Sequence, residues 1–235
     1  SNYTGPCVET NGFDTRNDSL DVYFFITDDV ATSVVARYER LRKAFLLLTG
    51  PVPALPKYVF GTWFSWWHSY TQTEVMEEIE RWAAHNISLD VFGLDVDWRD
   101  QTREAEYIVN TKLIPDMAGL QAWLHSKHQL HTYLNDHPES QRRQMEPAEV
   151  DFRYRGLTSL LEMGIDYWWY DSNWHLIIPG VFGLDNRVWV QYVYRSVTER
   201  FNRERRGGAL PFTLAMYSSS HPAHHRFPVW WTGDI

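Results

Sequence analysis

Short apolar runs alternate with amphipathic stretches along most of this chain. The run Ile165 to Tyr170 is aromatic and β-prone, shows no polar alternation, and follows Gly164, which ends the preceding helix. That pattern predicts a strand buried on both faces. It delivers Asp171, a carboxylate that cannot be buried without a partner and so belongs in a cleft. Two other runs end alike: Val91 to Leu94 leads to Asp95-Val96-Asp97, and Val229 to Gly233 leads to Asp234.

The remaining elements follow in order. Leu20 to Ile26 reads as a strand, and Thr27 or Asp28 as the cap of a helix with Val34, Tyr38, Leu41, Phe45 and Leu48 on one face. Gly50 and Pro51 end that helix, and Pro51, Pro53 and Pro56 make a stiff linker. A domain boundary falls there, between residues 1–50 and 51–235. Strand one is Tyr58 to Trp63; the capping box Thr71-Gln72-Thr73-Glu74 opens a helix that buries Val75, Ile79, Trp82 and Ala83. Strand two is Leu89 to Leu94. A helix over Met117 to His128 carries Leu120, Trp123 and Leu124. Strand three is Leu130 to Leu134, ending at Asn135-Asp136. A helix runs from Glu146-Pro147 to Met163, and strand four is Ile165 to Tyr170. Val190, Val193, Val197 and Phe201 mark another helix. Strand five is Leu210 to Met216, with Pro211 tolerable only at its start. Strand six is Pro228 to Gly233. Such alternation implies a parallel sheet with right-handed crossovers. Three acids at strand carboxyl ends describe an α/β-barrel site. A complete barrel needs about eight strands and ~250 residues, so six units predict an incomplete (β/α)8 TIM barrel, α/β in class. The chain reads as a fragment or as one chain of a nicked protein, unstable in solution until further sequence or a partner chain covers its open strand edges.

Composition narrows the function. A net charge of −8 on 235 residues, with no basic stripe, disfavours nucleic acid; Arg203-Glu204-Arg205-Arg206 reads as a solvated helix end. No run spans a bilayer. Cys7 is the one cysteine and cannot form an internal disulfide. Sequons at Asn2, Asn17 and Asn86 favour a secreted, glycosylated protein. Of the 12 tryptophans, those at strand ends either stack on a sugar face or fill the core.

Two carboxylates facing across a cleft, roughly 5–5.5 Å apart, can hydrolyse a glycosidic bond with retention. Asp171 and Asp234 close strands four and six, whose ends can face each other across a barrel mouth. An Asp at a strand end can equally be a helix cap or loop anchor. Asp136 either orients a neighbour at the mouth or is structural, and Asp97 reads as a support. His68 and Trp67 line the pocket or pack on the loop. His221, His224 and His225, with His131 and His137 elsewhere, fit no zinc spacing, so neither metal nor organic cofactor is expected.

Four segments resemble glycoside hydrolase family 31, the α-glucosidase and α-xylosidase family. They are Leu55 to Gly61; Leu89 to Trp98, containing Leu94-Asp95-Val96-Asp97-Trp98; Gly164 to Trp174; and, most specific, His225-Arg226-Phe227-Pro228-Val229-Trp230-Trp231-Thr232-Gly233-Asp234. The resemblance runs from about Leu20 to the end. It implies that residues 1–50 are the tail of an N-terminal β-sandwich domain with a connecting helix, and that residues 51–235 hold the first six barrel strands. It implies Asp171 as nucleophile, Asp234 as acid/base and Asp95 as a sugar-hydroxyl ligand. Trp98, Trp169, His225, Arg226 and Trp231 join Asp95 as carbohydrate-binding candidates. Asp234 is expected to hold its proton more tightly than Asp171, because Trp230 and Trp231 can supply an apolar surround. Two departures stand out. Ser172-Asn173-Trp174 replaces the Asn-Glu that often follows the nucleophile, and Tyr217-Ser218 stands where a sugar-binding Arg-Ser pair is usual. The expected activity is hydrolysis of terminal α-glucosidic bonds. The competing expectation is a carbohydrate-binding or extracellular structural protein that reuses the barrel.

Overall fold

Six parallel strands form one sheet in the order β1 to β6. The structure, a computed structural model, describes residues 23–27, 33–100, 107–137, 146–171, 186–216 and 229–231. The strands are β1 (Trp63–Trp66), β2 (Val91–Leu94), β3 (His131–Asp136), β4 (Tyr167–Tyr170), β5 (Thr213–Met216) and β6 (Val229–Trp231). The helices are α1 (Val34–Thr49), α2 (Gln72–Ala84), α3 (Met117–His128), α4 (Pro147–Glu162) and α5 (Asn186–Arg205). Strand–helix alternation from β1 onward is the partial α/β barrel that the pattern predicts.

The helices start where side chains satisfy their free N–H groups. Thr71 and Glu74 make the expected capping box: Glu74 N donates to Thr71 Oγ1 at 3.2 Å, and Thr71 N to Glu74 Oε2 at 2.8 Å. Asp116 Oδ1 accepts from Gly119 N at 2.8 Å and opens α3. Pro147 occupies the first turn of α4, where its missing N–H costs nothing. Gly164 ends the turn after α4 at φ +112°, and a Cβ there would lie 2.7 Å from Gln121 Cβ. This position therefore requires glycine.

Several sequence-derived bounds shift. Tyr58 to Phe60 forms a short 3-10 helix (Lys57–Phe60), and β1 begins at Trp63. The Asp90 carboxylate pins this approach by accepting from Thr62 N at 2.8 Å. Strands two and four begin two residues later than their apolar runs, because backbone pairing sets a strand's ends. Pro211 precedes β5, where no ladder N–H is needed. Ser33, not Thr27, caps α1, accepting from Ala36 N at 3.2 Å. Residues 23–26 carry no regular strand, and Tyr23, Phe24 and Ile26 are exposed; Asp28 lies outside the described residues. The α1 face is weakly covered: Leu41 and Phe45 are half-buried, whereas Val34, Tyr38 and Leu48 are exposed.

Parity along the strands divides the core in two. Phe92, Leu94, Leu134, Trp168 and Tyr170 face the helices and pack with Ile79, Leu120, Leu157, Leu160, Tyr194 and Val197. Each such fully buried large side chain contributes roughly 1.5–3 kcal/mol. Val91, Tyr133, Tyr167 and Phe212 face inward, with Tyr58, Trp63, Trp169 and Leu214 packed against them. Tyr133 and Tyr167 lie 5.1 Å apart, Tyr167 and Phe212 4.8 Å, and Tyr58 and Tyr167 5.6 Å between ring centres. This aromatic layer fills the barrel floor. Gly93 makes room for it, since a Cβ there would lie 2.2 Å from the Tyr133 ring. With both faces covered, the strands show no polar alternation in sequence.

Candidate active site

The inward parity that builds the aromatic floor also builds the site above it. Gly93 and Asp95 continue one inward series after Val91. Tyr133 and Asn135 continue a second, and Tyr167, Trp169 and Asp171 a third. Each series turns polar where its strand ends, at the carboxyl rim of the sheet. Asp171 N donates to Asp136 O at 3.0 Å, extending the β3–β4 ladder one residue and fixing where the Asp171 side chain emerges.

The rim groups meet. Asn135 Nδ2 donates to Asp95 Oδ1 at 2.9 Å and to Asp171 Oδ2 at 3.2 Å. His137 Nε2 lies 3.0 Å from Asp171 Oδ2. Asp95 also caps a short 3-10 helix (Val96–Trp98), its Oδ1 accepting from Val96 N at 2.7 Å. Burial raises the proton affinity of Asp95, the Val96 hydrogen bond opposes this, and the Asp171 charge raises it further. Asp171 thus has one amide donor and one imidazole neighbour, both at Oδ2.

Trp98 is 2 % exposed, and its Nε1 donates to Asn135 O at 2.5 Å. It lies beneath the rim and holds the end of β3, which leaves it little surface for a sugar. Trp169 is half-buried on the inward face, its ring edge-on to Tyr133 at 6.1 Å. Asp97 accepts from Ser69 Oγ at 2.7 Å and ties the loop after β1 to the loop after β2. His68 stacks on Trp66 at 5.0 Å, while Trp66, the last residue of β1, and Trp67 after it are exposed. Asn86 is exposed in the turn after α2 at φ 58°. Asp234, Arg226, His225, Asn2 and Asn17 lie outside the described residues, as does the side chain of Trp231.

A buried polar network supports the rim from behind. Asp136 is ion-paired with Arg99 and accepts from Tyr194 Oη. Tyr194 and Tyr107 hydroxyls lie 3.3 Å apart, Arg153 Nη1 donates to Tyr107 Oη at 3.1 Å, and Arg153 Nε to Glu149 Oε1 at 3.0 Å. Arg99 Nη1 also donates to His137 O at 3.2 Å, so this network fixes the residue beside Asp171. Asp136 therefore joins its two sequence readings: it is buried in a supporting network, and through Arg99 that network holds His137 at the mouth.

At the opposite, amino rim, Asp166 gathers its own partners. Thr132 N donates to its Oδ2 at 2.8 Å and His125 Nε2 lies 2.9 Å from the same oxygen. His131 Nδ1 and Arg206 Nη1 lie 3.5 and 3.9 Å from Oδ1. Burial alone would raise the Asp166 pKa; hydrogen bonds from His125, His131 and Thr132 N outweigh it and hold the carboxyl at about 2. Arg206 donates to Ile165 O at 2.9 Å and to Leu161 O at 2.6 Å, so this arginine is a helix-end clamp rather than a solvated charge. An open cleft of about 570 Å³ lies against this cluster. Among the described residues, no group of three or more His, Cys, Asp or Glu is arranged to hold a metal ion, and no helix is long and apolar enough to cross a membrane.

Asn135 was the functional candidate hardest to find by residue type. Its signal is parity: a polar residue two positions after an inward Tyr, at the same height as Asp95 and Asp171. The Asp166 cluster had no signal, because its partners come from α3, β3 and the residue just after α5.

Residues 52–149 match the TIM-barrel domain of the glycosyl hydrolases family 31. A xylosidase from Aspergillus niger shares the fold at a TM-score of 0.63 and 15 % identity, over 84 % of this chain and 36 % of that one. A cycloalternan-degrading enzyme from Trueperella pyogenes superposes at 0.62 with 17 % identity, over 83 % and 37 %. A cycloalternan-forming enzyme from Listeria monocytogenes, in complex with a pentasaccharide substrate, does so at 0.63 with 15 % identity, over 83 % and 24 %. The chain thus spans about a third or less of each of these structures. No curated protein matches it.

Proposed function

We propose that this chain, whose residues 52–149 match the TIM-barrel domain of the glycosyl hydrolases family 31, belongs to a retaining, exo-acting α-glycosidase that cleaves terminal α-glucosidic bonds. Asp171 attacks the anomeric carbon, and the leaving oxygen takes a proton from Asp234. Asp234 then deprotonates water, which releases the sugar from Asp171 with net retention. Asp95 binds a sugar hydroxyl, while Trp169, Trp231, His225 and Arg226 line the sugar site. No metal or organic cofactor takes part. Residues 1–50 end a preceding sandwich domain, residues 51–235 form the partial barrel, and further polypeptide completes it. The three sequons fit passage through the secretory route, and the exposed Asn86 is accessible to glycosylation.

The observation that carries this reading is Asp171 at the carboxyl end of β4, held by Asn135 and His137 beside Asp95. Barrel enzymes place their chemistry at this rim. The same observation favours the second reading, a carbohydrate-binding or extracellular structural protein that reuses the barrel, since an imidazole already lies against Asp171 Oδ2, and Tyr217-Ser218 in place of the usual sugar-binding Arg-Ser pair points the same way. Labelling the protein with a fluorinated α-glucoside inactivator, followed by peptide mass mapping, separates the two. Covalent sugar on Asp171 is the expected result. No label, where a control α-glucosidase is labelled, would overturn the glycosidase reading and leave the binding one.

A further inference from the structure

Asn135 is 2 % exposed and sits between two acids. A side-chain amide has two N–H donors, and a carboxylate accepts only. Here the one nitrogen serves Asp95 Oδ1 at 2.9 Å and Asp171 Oδ2 at 3.2 Å. Turning the amide over would set its oxygen against two carboxylate oxygens, so its orientation is fixed. The cost is visible on its other side, where Asn135 Oδ1 is buried with no hydrogen-bond partner among the described residues. Leaving a buried acceptor unmet is unfavourable. An apolar side chain would avoid that cost, but it would leave Asp95 and Asp171 to repel each other.

We propose that Asn135 is a positioning residue. It holds the carboxylates of Asp95 and Asp171 in one relation, so that a sugar bound through a hydroxyl at Asp95 presents its anomeric carbon to Asp171. Both neighbours of Asp171, Asn135 and His137, contact Oδ2. Oδ1 accepts no hydrogen bond among the described residues and is the attacking oxygen. Asn135 itself is anchored by Trp98, whose Nε1 donates to its carbonyl, and by its register opposite Trp169 on β4. The link therefore runs from the β2 loop through β3 to β4, across three strands that converge only in the folded sheet. The inference rests on the glycosidase reading for its chemistry. The coupling of the two carboxylates does not.

The test uses the whole protein, with Asn135→Ala and the isosteric Asn135→Asp. One readout is the rate of labelling by the fluorinated α-glucoside between pH 4 and 8. The other is the titration of Asp95 and Asp171, followed by carboxyl 13C resonances. The other titratable groups facing these acids are His137, Asp97 and Tyr133, and they are unchanged in both variants. Asn135→Ala is expected to slow labelling about 100-fold, with the half-saturating inactivator concentration changed less than about threefold. The Asp95 titration should rise by about one unit as a hydrogen bond to its charged form is lost. Asn135→Asp should raise it further, because a third carboxylate enters the cluster. Titrations that match the wild type in both variants would overturn the proposal, even if labelling slows in step with lost folded protein. If the wild type takes no label, the glycosidase reading falls. The titrations then decide the coupling alone: shifted values sustain it and unshifted values overturn it.

Discussion

The two ends of the β3–β4 pair each present an aspartate among imidazoles, with opposite results. At the amino rim, Asp166 meets His125, His131, Arg206 and Thr132 N, and its carboxyl is held at about 2. At the carboxyl rim, Asp95 and Asp171 share one amide, an imidazole lies against Asp171, and Asp95 is pushed up rather than down. One end has donors in excess of charge and is built for stability. The other sets two carboxylates around one shared amide, where the proposed chemistry lies. The same pair of strands thus separates the stabilising cluster from the candidate site by the four residues of β4.

The comparison breaks first at Asp171. Asn in its place should reduce labelling and hydrolysis by roughly 10⁴-fold, while stability moves by less than about 1 kcal/mol, since a crowded charge is removed. A large loss of stability, measured by urea unfolding, would show that the carboxyl rim is structural after all.

Arg153→Ala comes next. It strands Glu149 as a buried, uncompensated charge, for which about 3–5 kcal/mol of destabilisation is expected. Where the variant remains folded, its labelling rate per folded molecule should stay within about threefold of wild type. A larger fall would show that the buried network behind β3 tunes the site as well as supporting it.

Asp166→Asn should cost roughly 2 kcal/mol at neutral pH, from a depression of nearly two units, with no change in labelling. The sign follows from the depressed pKa. The folded state binds this proton less readily than the unfolded chain, so the contribution is complete above the ordinary carboxylate range. It is lost as pH falls through that range toward about 2. Melting curves of wild type and variant should therefore differ at pH 6 and converge near pH 2. A gap that stays constant with pH would remove the electrostatic account. The Asp95 contribution runs the other way, since its raised pKa makes its ionised form the unfavourable one.

The smallest effect is expected at Thr71, which also lies on the carboxyl side of the sheet, in the loop between β1 and α2. Thr71→Ala removes the capping box and should cost about 1 kcal/mol, with labelling unchanged. A fall in labelling here would mean that any disturbance of this rim is felt at the site, and the contrast between the two rims would lose its meaning.

Much of the fold was readable from periodicity. Strand–helix alternation, the Thr71–Glu74 cap, the reach of α3 and α4 and the place of Pro211 follow from spacing and local chemistry, and the structure has them. Strand starts were less readable, because an apolar run continues past the point where the neighbouring strand begins to pair. Tyr58 shows this: its residue type suits a strand, yet it stacks at 3.8 Å on His131 from a 3-10 turn. Asp95 and Asp171 were legible as acids closing buried runs. Asn135 was not, because an uncharged amide announces no chemistry until two carboxylates stand on either side of it.

By itself, then, the sequence determined the alternation of buried strands and helices from β1 onward and which strand ends carry acids, since both depend on local patterning and on the cost of burying charge. Tertiary structure alone decided that Asp136 and Asp166 support the barrel while Asp95 and Asp171 share an amide at its rim. The partners that set these roles lie 34 to 58 residues away in the chain. They meet only because parallel pairing brings successive strand ends to one height.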